Sequence, residues 1–436
     1  QFMKRYMQVY NKFVEDIKKG YLKYGDTLPS IRKSVEIFGF SKTSIERGYE
    51  QLVLDGYIIS EAQKGFIVDI KPYQLHRQQI IAQASNSDIP KQYLYDFRSH
   101  AVSQDSFDLR VWKRYMKDVF QDTPLISTYG DKQGEQELRT ALSEYAYHNR
   151  GILATGAQIL VGSGFQSLLF DFCSLLEKPV SIAMEEGVSK EVNHVFTSFG
   201  FDCHFLSKER YIEELSLLDI DILYINTACF GRDFAPLSNS MRDMILQLSY
   251  DNNFLILEDD YNGELTYHSK PRQALQSASV MDNVIYFSSF SRLLLPSLRL
   301  SYMILNTKYQ HAYQQFKDSF GPTASKLEQL VLARYIANGY LEKHVRKLKR
   351  EYAKKEQITY DLLTSAGFSV LLQEAYFSYQ IDISHCDVFA IIKTCEEKGI
   401  GIDTPTKDRL NVSFAYLDRD RLQEGLKLLV KILKEC

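Results

Sequence analysis

The sequence predicts a two-part α/β chain: a small amino-terminal unit of three helices and a hairpin, then a large domain with a mostly parallel sheet covered by helices on both faces. Three observations lead there. The first seventy residues show apolar positions at helical spacing, then two short helical segments, then two alternating runs. Beyond residue 95, apolar runs of strand length alternate with helical stretches, as in strands joined by crossover helices. The chain of 436 residues also exceeds what one ordinary core holds.

Taken in order, Phe2, Tyr6, Tyr10, Phe13, Ile17 and Tyr21 recur every three or four residues, which puts one apolar stripe on a first helix expected to end near Gly25. After the turn LPS, a second helix is expected over IRKSVEIFG and a third over KTSIERGYEQLVLDG, with Ser41 as its N-cap. The runs YIIS and GFIVDI, separated by EAQK, read as a hairpin. Helix, helix-turn-helix and hairpin make a winged helix over residues 1–70. Residues 71–94 are polar and weakly periodic and read as a linker, long enough for two subunits to exchange domains. From 95 to 320, the runs QILVGSG, PVSIAME, CHFLS, DILYIN, NFLILEDD, NVIYFSS and LSYMIL are buried-strand sized. From 321 to 436, a long charged helix, LEKHVRKLKREYAKKEQITYDLL, precedes strands near FSVLL, YFSYQID and RLNVSFAYL, a smaller α+β lobe.

Composition narrows the function. A net charge of -3 argues against a protein that coats nucleic acid with its whole surface, yet residues 1–72 hold twelve Lys and Arg against nine Asp and Glu. A local basic footprint fits there, and so does an ordinary solvated face. The six cysteines form no CxxC pair and no metal-ligand spacing, so a reduced, cytoplasmic protein without a metal is expected. The longest apolar runs last only a few residues, and neither a signal peptide nor a membrane partner is expected.

The first seventy residues resemble the GntR-type winged helix of bacterial DNA-binding proteins. The likeness rests on Gly25, Leu28, Pro29, Ser30 and Arg32 of G-x-x-L-P-S-x-R, on S-K-T opening the third helix, on L-x-x-D-G-Y and on the K-G wing tip. It implies a double-stranded DNA operator as partner. A recognition helix presents its first turn to the major groove, which selects Ser41, Lys42, Thr43 and Arg47, with Lys42 as the main base reader. Arg32 and Lys33 are expected on phosphate or adjacent base edges, and Lys64 and Gly65 at the wing tip.

Residues from about 95 onward resemble fold type I aminotransferases, and the join resembles the MocR subfamily of GntR regulators. The likeness is carried by TYGDKQGEQELRTALSEYAYHNRGI, LVGSGFQSLL, FLILEDDYNGEL and VIYFSSFSRLLLPSLRLSYMIL. It implies a pyridoxal 5'-phosphate pocket in which Asp259 meets the pyridine nitrogen, Tyr261 the ring oxygen, and Ser291, Arg299, Ser163 and Gly164 the phosphate. Where the family reads F-S-K, this chain reads Phe290, Ser291, Arg292. A guanidinium stays protonated and is a poor nucleophile, so no imine and no catalysis are expected of Arg292. EEGVSKE replaces the family's EEPGYPG and leaves Ser189 at the ring-stacking position, and either Arg409 or Asn411 takes the old carboxylate-binding position.

Tyr129 and Gly134 match a stretch that reaches across the dimer in the family, which implies a homodimer. The expected protein is a dimeric transcription regulator with an inactive aminotransferase-like domain. Its effector is left open between non-covalent pyridoxal 5'-phosphate, another small anion, and none. An active aminotransferase with an accessory head and a scaffold whose winged helix docks protein are the alternatives.

Overall fold

The computed structural model describes residues 4–71, 92–98, 102, 107–230, 236–268, 272–406 and 408–435. Phe2, nearly all of the expected linker (72–91) and Cys436 lie outside the described residues. The chain divides into two compact units, Gln1–Lys91 and Gln92–Cys436.

In the first unit, α1 (Arg5–Lys18) buries Val9, Phe13, Val14 and Ile17. It ends seven residues before the expected Gly25, because Gly20 takes a left-handed turn at φ +76 and leaves Tyr21 exposed. The segment thus released is used as a strand: Gly25 N donates to Val68 O at 2.9 Å, Val68 N to Asp26 O at 2.9 Å and Leu28 N to Phe66 O at 2.8 Å, with Thr27 opposite Ile67. Next come α2 (Ile31–Phe38), closed by Gly39 in the left-handed region, and α3 (Lys42–Leu54). The hairpin pairs β1 (Ile58–Glu61) with β2 (Gly65–Val68) in antiparallel register, Ile58 opposite Val68. Val9, Phe13, Ile45, Tyr49, Leu52, Ile58 and Val68 form the core.

The second unit runs β3 (Tyr95–Asp96), α4 (Leu109–Phe120), α5 (Thr123–Ile126), α6 (Gln136–Arg150), β4 (Ile159–Gly162), α7 (Phe165–Ser174), β5 (Ser181–Glu185), α8 (Lys190–Ser198), β6 (Asp202–Leu206), α9 (Tyr211–Leu217), β7 (Ile222–Asn226), α10 (Asn239–Asn252), β8 (Leu255–Asp259), α11 (Leu275–Ala278), β9 (Val284–Ser289) and β10 (Ser301–Ile304). It continues with α12 (Thr307–Phe316), α13 (Lys326–Ala337), α14 (Tyr340–Ser365), β11 (Val370–Gln373), β12 (Ser378–Asp382), α15 (Val388–Glu397), β13 (Ile400–Gly401), β14 (Asp403–Thr406), β15 (Arg409–Ser413) and α16 (Arg419–Lys434).

Seven strands form one sheet in the order β4-β10-β9-β8-β7-β5-β6. All the pairs from β9 to β6 are parallel, and β10 alone runs antiparallel, between β4 and β9. This is the doubly covered α/β layout that the alternating runs predict: α7 and α8 bury apolar residues on one face, α9 and α10 on the other. The terminal lobe holds an antiparallel sheet, β11-β12-β15-β14, in which β14 is a strand that the sequence pattern does not reveal. Its Asp-Thr-Pro-Thr has neither alternation nor apolar content. β3 pairs in parallel with β13, and Leu94 N donates to Gly399 O at 2.8 Å, so the chain entering this unit is stitched to its terminal lobe.

Candidate nucleic-acid interface and ligand pocket

Two N-caps set the helix-turn-helix. Ser30 Oγ accepts from Lys33 N at 3.3 Å and Ser41 Oγ from Ser44 N at 3.4 Å, so both helices begin on a serine that satisfies an otherwise orphaned amide. The two helices are locked by a buried chain of hydroxyls: Ser34 and Tyr49 share a 2.8 Å hydrogen bond, and Tyr49 OH donates to Pro29 O at 2.7 Å. Behind them α1 and α3 touch at Gly48, where a Cβ would lie 3.1 Å from Tyr6 O and from Val9 Cβ.

This frame leaves Ser41, Lys42, Thr43 and Arg47 exposed on α3, with Arg32 and Lys33 exposed on α2. They do not share one environment. Lys42 pairs with Glu46 one turn on at 3.4 Å, a solvent-exposed contact. Arg47 lies with its guanidinium 5.2 Å from the centre of the Tyr6 ring, so α1 holds the residue on the outer flank of the recognition helix. At the wing tip Lys64 pairs with Glu61 at 2.8 Å, and Gln63 (φ +69) and Gly65 (φ +88) make the left-handed corner of the hairpin.

In the second unit the residues expected to bind a ligand gather at the carboxyl ends of the parallel strands, where open α/β sheets place their ligands. The run Glu258, Asp259, Asp260 shows how strand alternation divides three adjacent acids. Glu258 is buried against α11, accepting from Leu275 N at 2.8 Å and Gln276 N at 3.0 Å. Asp260 turns to the opposite face from Asp259, where Arg150 Nε lies 2.6 Å away and Tyr286 OH donates at 2.7 Å. Asp259 is buried on the other face and accepts on Oδ2 from Tyr224 OH at 2.7 Å and Asn226 Nδ2 at 3.3 Å. Burial raises its carboxyl to about 7 although both hydrogen bonds favour the carboxylate.

Phe165, the first residue of α7, packs edge-on against Phe287 (5.3 Å between centroids) and Tyr224 (6.3 Å). Just before it, Gly164 adopts φ +130, and the Arg299 guanidinium lies across it, with Nη2 3.0 Å from where a Cβ would stand. Any side chain at 164 would displace that arginine. Arg299 is itself left-handed, φ +49, a conformation that an L-residue with a long side chain rarely holds. Ser291 joins a run of hydroxyls, with Ser289 Oγ donating to Ser291 Oγ at 3.2 Å and Ser301 Oγ to Ser289 Oγ at 3.0 Å. Ser163 N donates to Thr323 Oγ1 at 3.2 Å.

Arg292 is partly buried in an aromatic cage: its guanidinium carbon lies 5.3 Å from the centre of Tyr261, 5.7 Å from Tyr376 and 5.9 Å from Phe377. Tyr261 is also hydrogen-bonded to Arg292, and burial holds its hydroxyl above the usual phenol range against the pull of that cation. The turn Glu374–Tyr376 that supplies the cage is tied to the strand β8 loop, since Asn262 Nδ2 donates to Ala375 O at 2.6 Å and Tyr267 N to Glu374 Oε1 at 3.1 Å. Phe377, which closes this turn, is left-handed at φ +52.

The structure thus brings Asp259, Tyr261, Ser291, Arg292, Arg299, Ser163 and Gly164 to one end of the sheet. Tyr129 stands apart, 96% exposed. Ser189 caps α8 by accepting from Val192 N at 3.3 Å, so its hydroxyl is engaged with the backbone rather than turned to a ligand. Arg409 lies 3.8 Å from Asp408, and Asn411 accepts from Gln380 at 3.4 Å. Tyr224, Asn226, Phe165, Tyr376 and Phe377 are the pocket residues that the motifs do not announce. Asn226 was legible as the polar end of an apolar strand, whereas the others read as core aromatics.

Comparison with known proteins agrees with both halves. Residues 5–68 match the bacterial regulatory proteins of the gntR family. The chain is similar to the uncharacterized HTH-type transcriptional regulator YdeL of Bacillus subtilis, 27% identical across 97% of this chain and 96% of that protein. It is also similar to the probable rhizopine catabolism regulatory protein MocR of Rhizobium meliloti, 24% identical across 80% of this chain and 75% of that one. Among solved structures, the kynurenine aminotransferase of Pyrococcus horikoshii has the same fold, with a TM-score of 0.67 at 20% identity, covering 83% of this chain and 94% of that one. The fold expected from the sequence is therefore the one observed: a GntR-type helix-turn-helix domain followed by a fold type I aminotransferase-like domain with a mixed, mostly parallel sheet.

Proposed function

We propose that this chain is a DNA-binding transcription regulator that acts as a homodimer and uses its aminotransferase-like domain to sense a small anionic effector without catalysis. The observation that carries the DNA-binding half is the capped, exposed first turn of α3 with Lys42 and Thr43 on it, inside a domain matched to the gntR family from 5 to 68. Regulators with similar sequences along most of the chain support the same reading.

For the pocket, pyridoxal 5'-phosphate is the group this fold implies, and when held by a lysine it supplies an electron sink for carbanion chemistry. The residues here fit its phosphate, at Gly164, Ser291 and Arg299, and an acid stands at Asp259 for a ring nitrogen. They do not fit its aldehyde. The side chain in the lysine's place is Arg292, whose delocalised guanidinium cannot condense with a carbonyl and which is caged by Tyr261, Tyr376 and Phe377. Recognition of an anion without covalent attachment is the function that remains.

Two measurements test this. Selection of genomic fragments on the full chain, followed by binding at several salt concentrations, is expected to return a sequence-selective site whose affinity falls steeply with salt. Titration with pyridoxal 5'-phosphate, borohydride treatment and intact mass is expected to leave the protein mass unchanged. A reduced adduct, or turnover with an amino donor and a keto acid, would restore the aminotransferase reading.

A further inference from the structure

The first turn of α1 is fastened to the neighbourhood of α3 rather than capped on its own. Lys4 supplies no side-chain cap and no acid stands in the first turn, so this helix end has no local device to hold it. Two cation–π contacts tie it down instead. Arg5 lies 5.8 Å from the centre of the Phe40 ring, in the turn that leads into α3, and the Tyr6 ring lies 5.2 Å from the Arg47 guanidinium carbon. This close approach follows from Gly48, the neighbour of Arg47. With no side chain there, α1 comes so near that an added Cβ would stand 3.1 Å from Tyr6 O. Arg47 is exposed, and among the described residues it makes no hydrogen bond and no ion pair. Lys42, the other cation of α3, is paired with Glu46 at 3.4 Å.

We infer that Tyr6 is a positioning residue for DNA binding, which holds Arg47 so that its guanidinium meets one phosphate of the strand bordering the groove that α3 reads. This rests on the reading of α3 as the recognition helix. The first turn of such a helix meets base edges. Arg47 stands one turn beyond Thr43 on the same face, about 6 Å further along, at the edge where α1 packs. At that edge the contact to be made is with the sugar-phosphate strand, which fixes register and carries no base identity. The ring attracts the guanidinium without supplying it an acceptor, so the N–H donors of Arg47 remain for phosphate oxygens. An arginine already settled on a ring has less rotamer freedom to lose when DNA arrives, and that is what Tyr6 contributes.

The test is a double-mutant cycle on the full chain, read by fluorescence anisotropy with two labelled duplexes: the site recovered by genomic selection and a random sequence of the same length. Arg47→Ala is expected to weaken binding to both by about tenfold and to lower the slope of log affinity against log salt by roughly 0.9, the share of one phosphate. Tyr6→Leu is expected to weaken binding by about two- to fivefold, and Tyr6→Phe, which keeps the ring, to recover most of that loss. In the Arg47→Ala background, Tyr6→Leu is expected to change affinity by less than about 1.5-fold, because the partner it positions is gone. A loss from Tyr6→Leu that is the same in both backgrounds marks a packing role and overturns the inference. An unchanged salt slope in Arg47→Ala, or a Tyr6→Phe variant as weak as Tyr6→Leu, overturns it too. If circular dichroism shows that Tyr6→Leu disturbs α1, the cycle is repeated with Tyr6→Met. A parent chain that binds neither duplex removes the recognition-helix reading and this inference together, whereas a parent that binds while the cycle is additive removes this inference alone.

Discussion

Gly48 and Asp259 show how single positions set the limits of this molecule. Helix interiors ordinarily favour alanine over glycine by about 1 kcal/mol. At position 48 the added methyl would press on Tyr6 O and Val9 Cβ at 3.1 Å, and backbone on one side cannot step away. Gly48→Ala is therefore expected to destabilise the winged-helix unit by about 1 to 3 kcal/mol, read as a lower urea midpoint for far-ultraviolet circular dichroism. Asp259 makes a prediction with a sign. Its carboxyl sits near 7 in the fold and near 3.9 in an unfolded chain, so the native state holds the proton more tightly. Its contribution to stability is complete at low pH and is lost as pH rises from about 4 to 7. The melting temperature of Asp259→Asn minus that of the parent is thus expected to climb across that interval and level off above it, and a flat difference would contradict the raised carboxyl. At this scale the sequence shows chemistry better than company. EDDY marks an acid at a strand end, but that Tyr224 and Asn226 hold Asp259 while Arg150 and Tyr286 hold Asp260 depends on neighbours tens of residues away, which no local pattern encodes.

Among the elements, α3 carries the firmest expectation. Lys42→Ala and Arg32→Ala are each expected to weaken specific operator binding by about 1 to 3 kcal/mol with unchanged thermal stability, measured by fluorescence anisotropy. Glu46→Gln should strengthen it modestly, because it removes an anion 3.4 Å from Lys42 that DNA phosphates would have to tolerate. Arg47 belongs in a different class from Lys42, since Tyr6 already engages its guanidinium. Elements were legible where period and caps agreed: Ser41 caps α3 as the sequence predicts, α2 starts after the LPS turn, and the seven apolar runs of the large sheet are all strands. They were misjudged where tertiary pairing overrode period. Tyr21 sits in phase with the stripe of α1, yet the chain leaves the helix at Gly20 so that residues 25–28 can bond to β2. β14 was invisible because its pairing with β15, rather than its own residues, makes it a strand.

For the whole molecule, a dimer joins the two proposals, since one head contacts half a site and two linked heads gain effective concentration. In the proposed dimer Tyr129, 96% exposed on a single chain, is expected to pack against the second copy. Tyr129→Glu is expected to shift the sedimentation profile toward monomer and to weaken operator binding by ten- to a hundredfold, while an isolated half-site is bound as before. A monomeric parent protein would remove the premise. The global charge of -3 does not conflict with DNA binding, because the basic excess is confined to the first 72 residues.

The antiparallel strand β10 has one more consequence. Ser301 lies opposite Ser289 across the β9–β10 ladder, and Phe290 N donates to Leu300 O at 2.9 Å, so the stretch between them is a closed bight of chain pinned at its neck. Arg292 and Arg299 both ride on this bight. Because its neck is fixed by this ladder, lengthening the bight by a residue is expected to leave the sheet that carries it as it is.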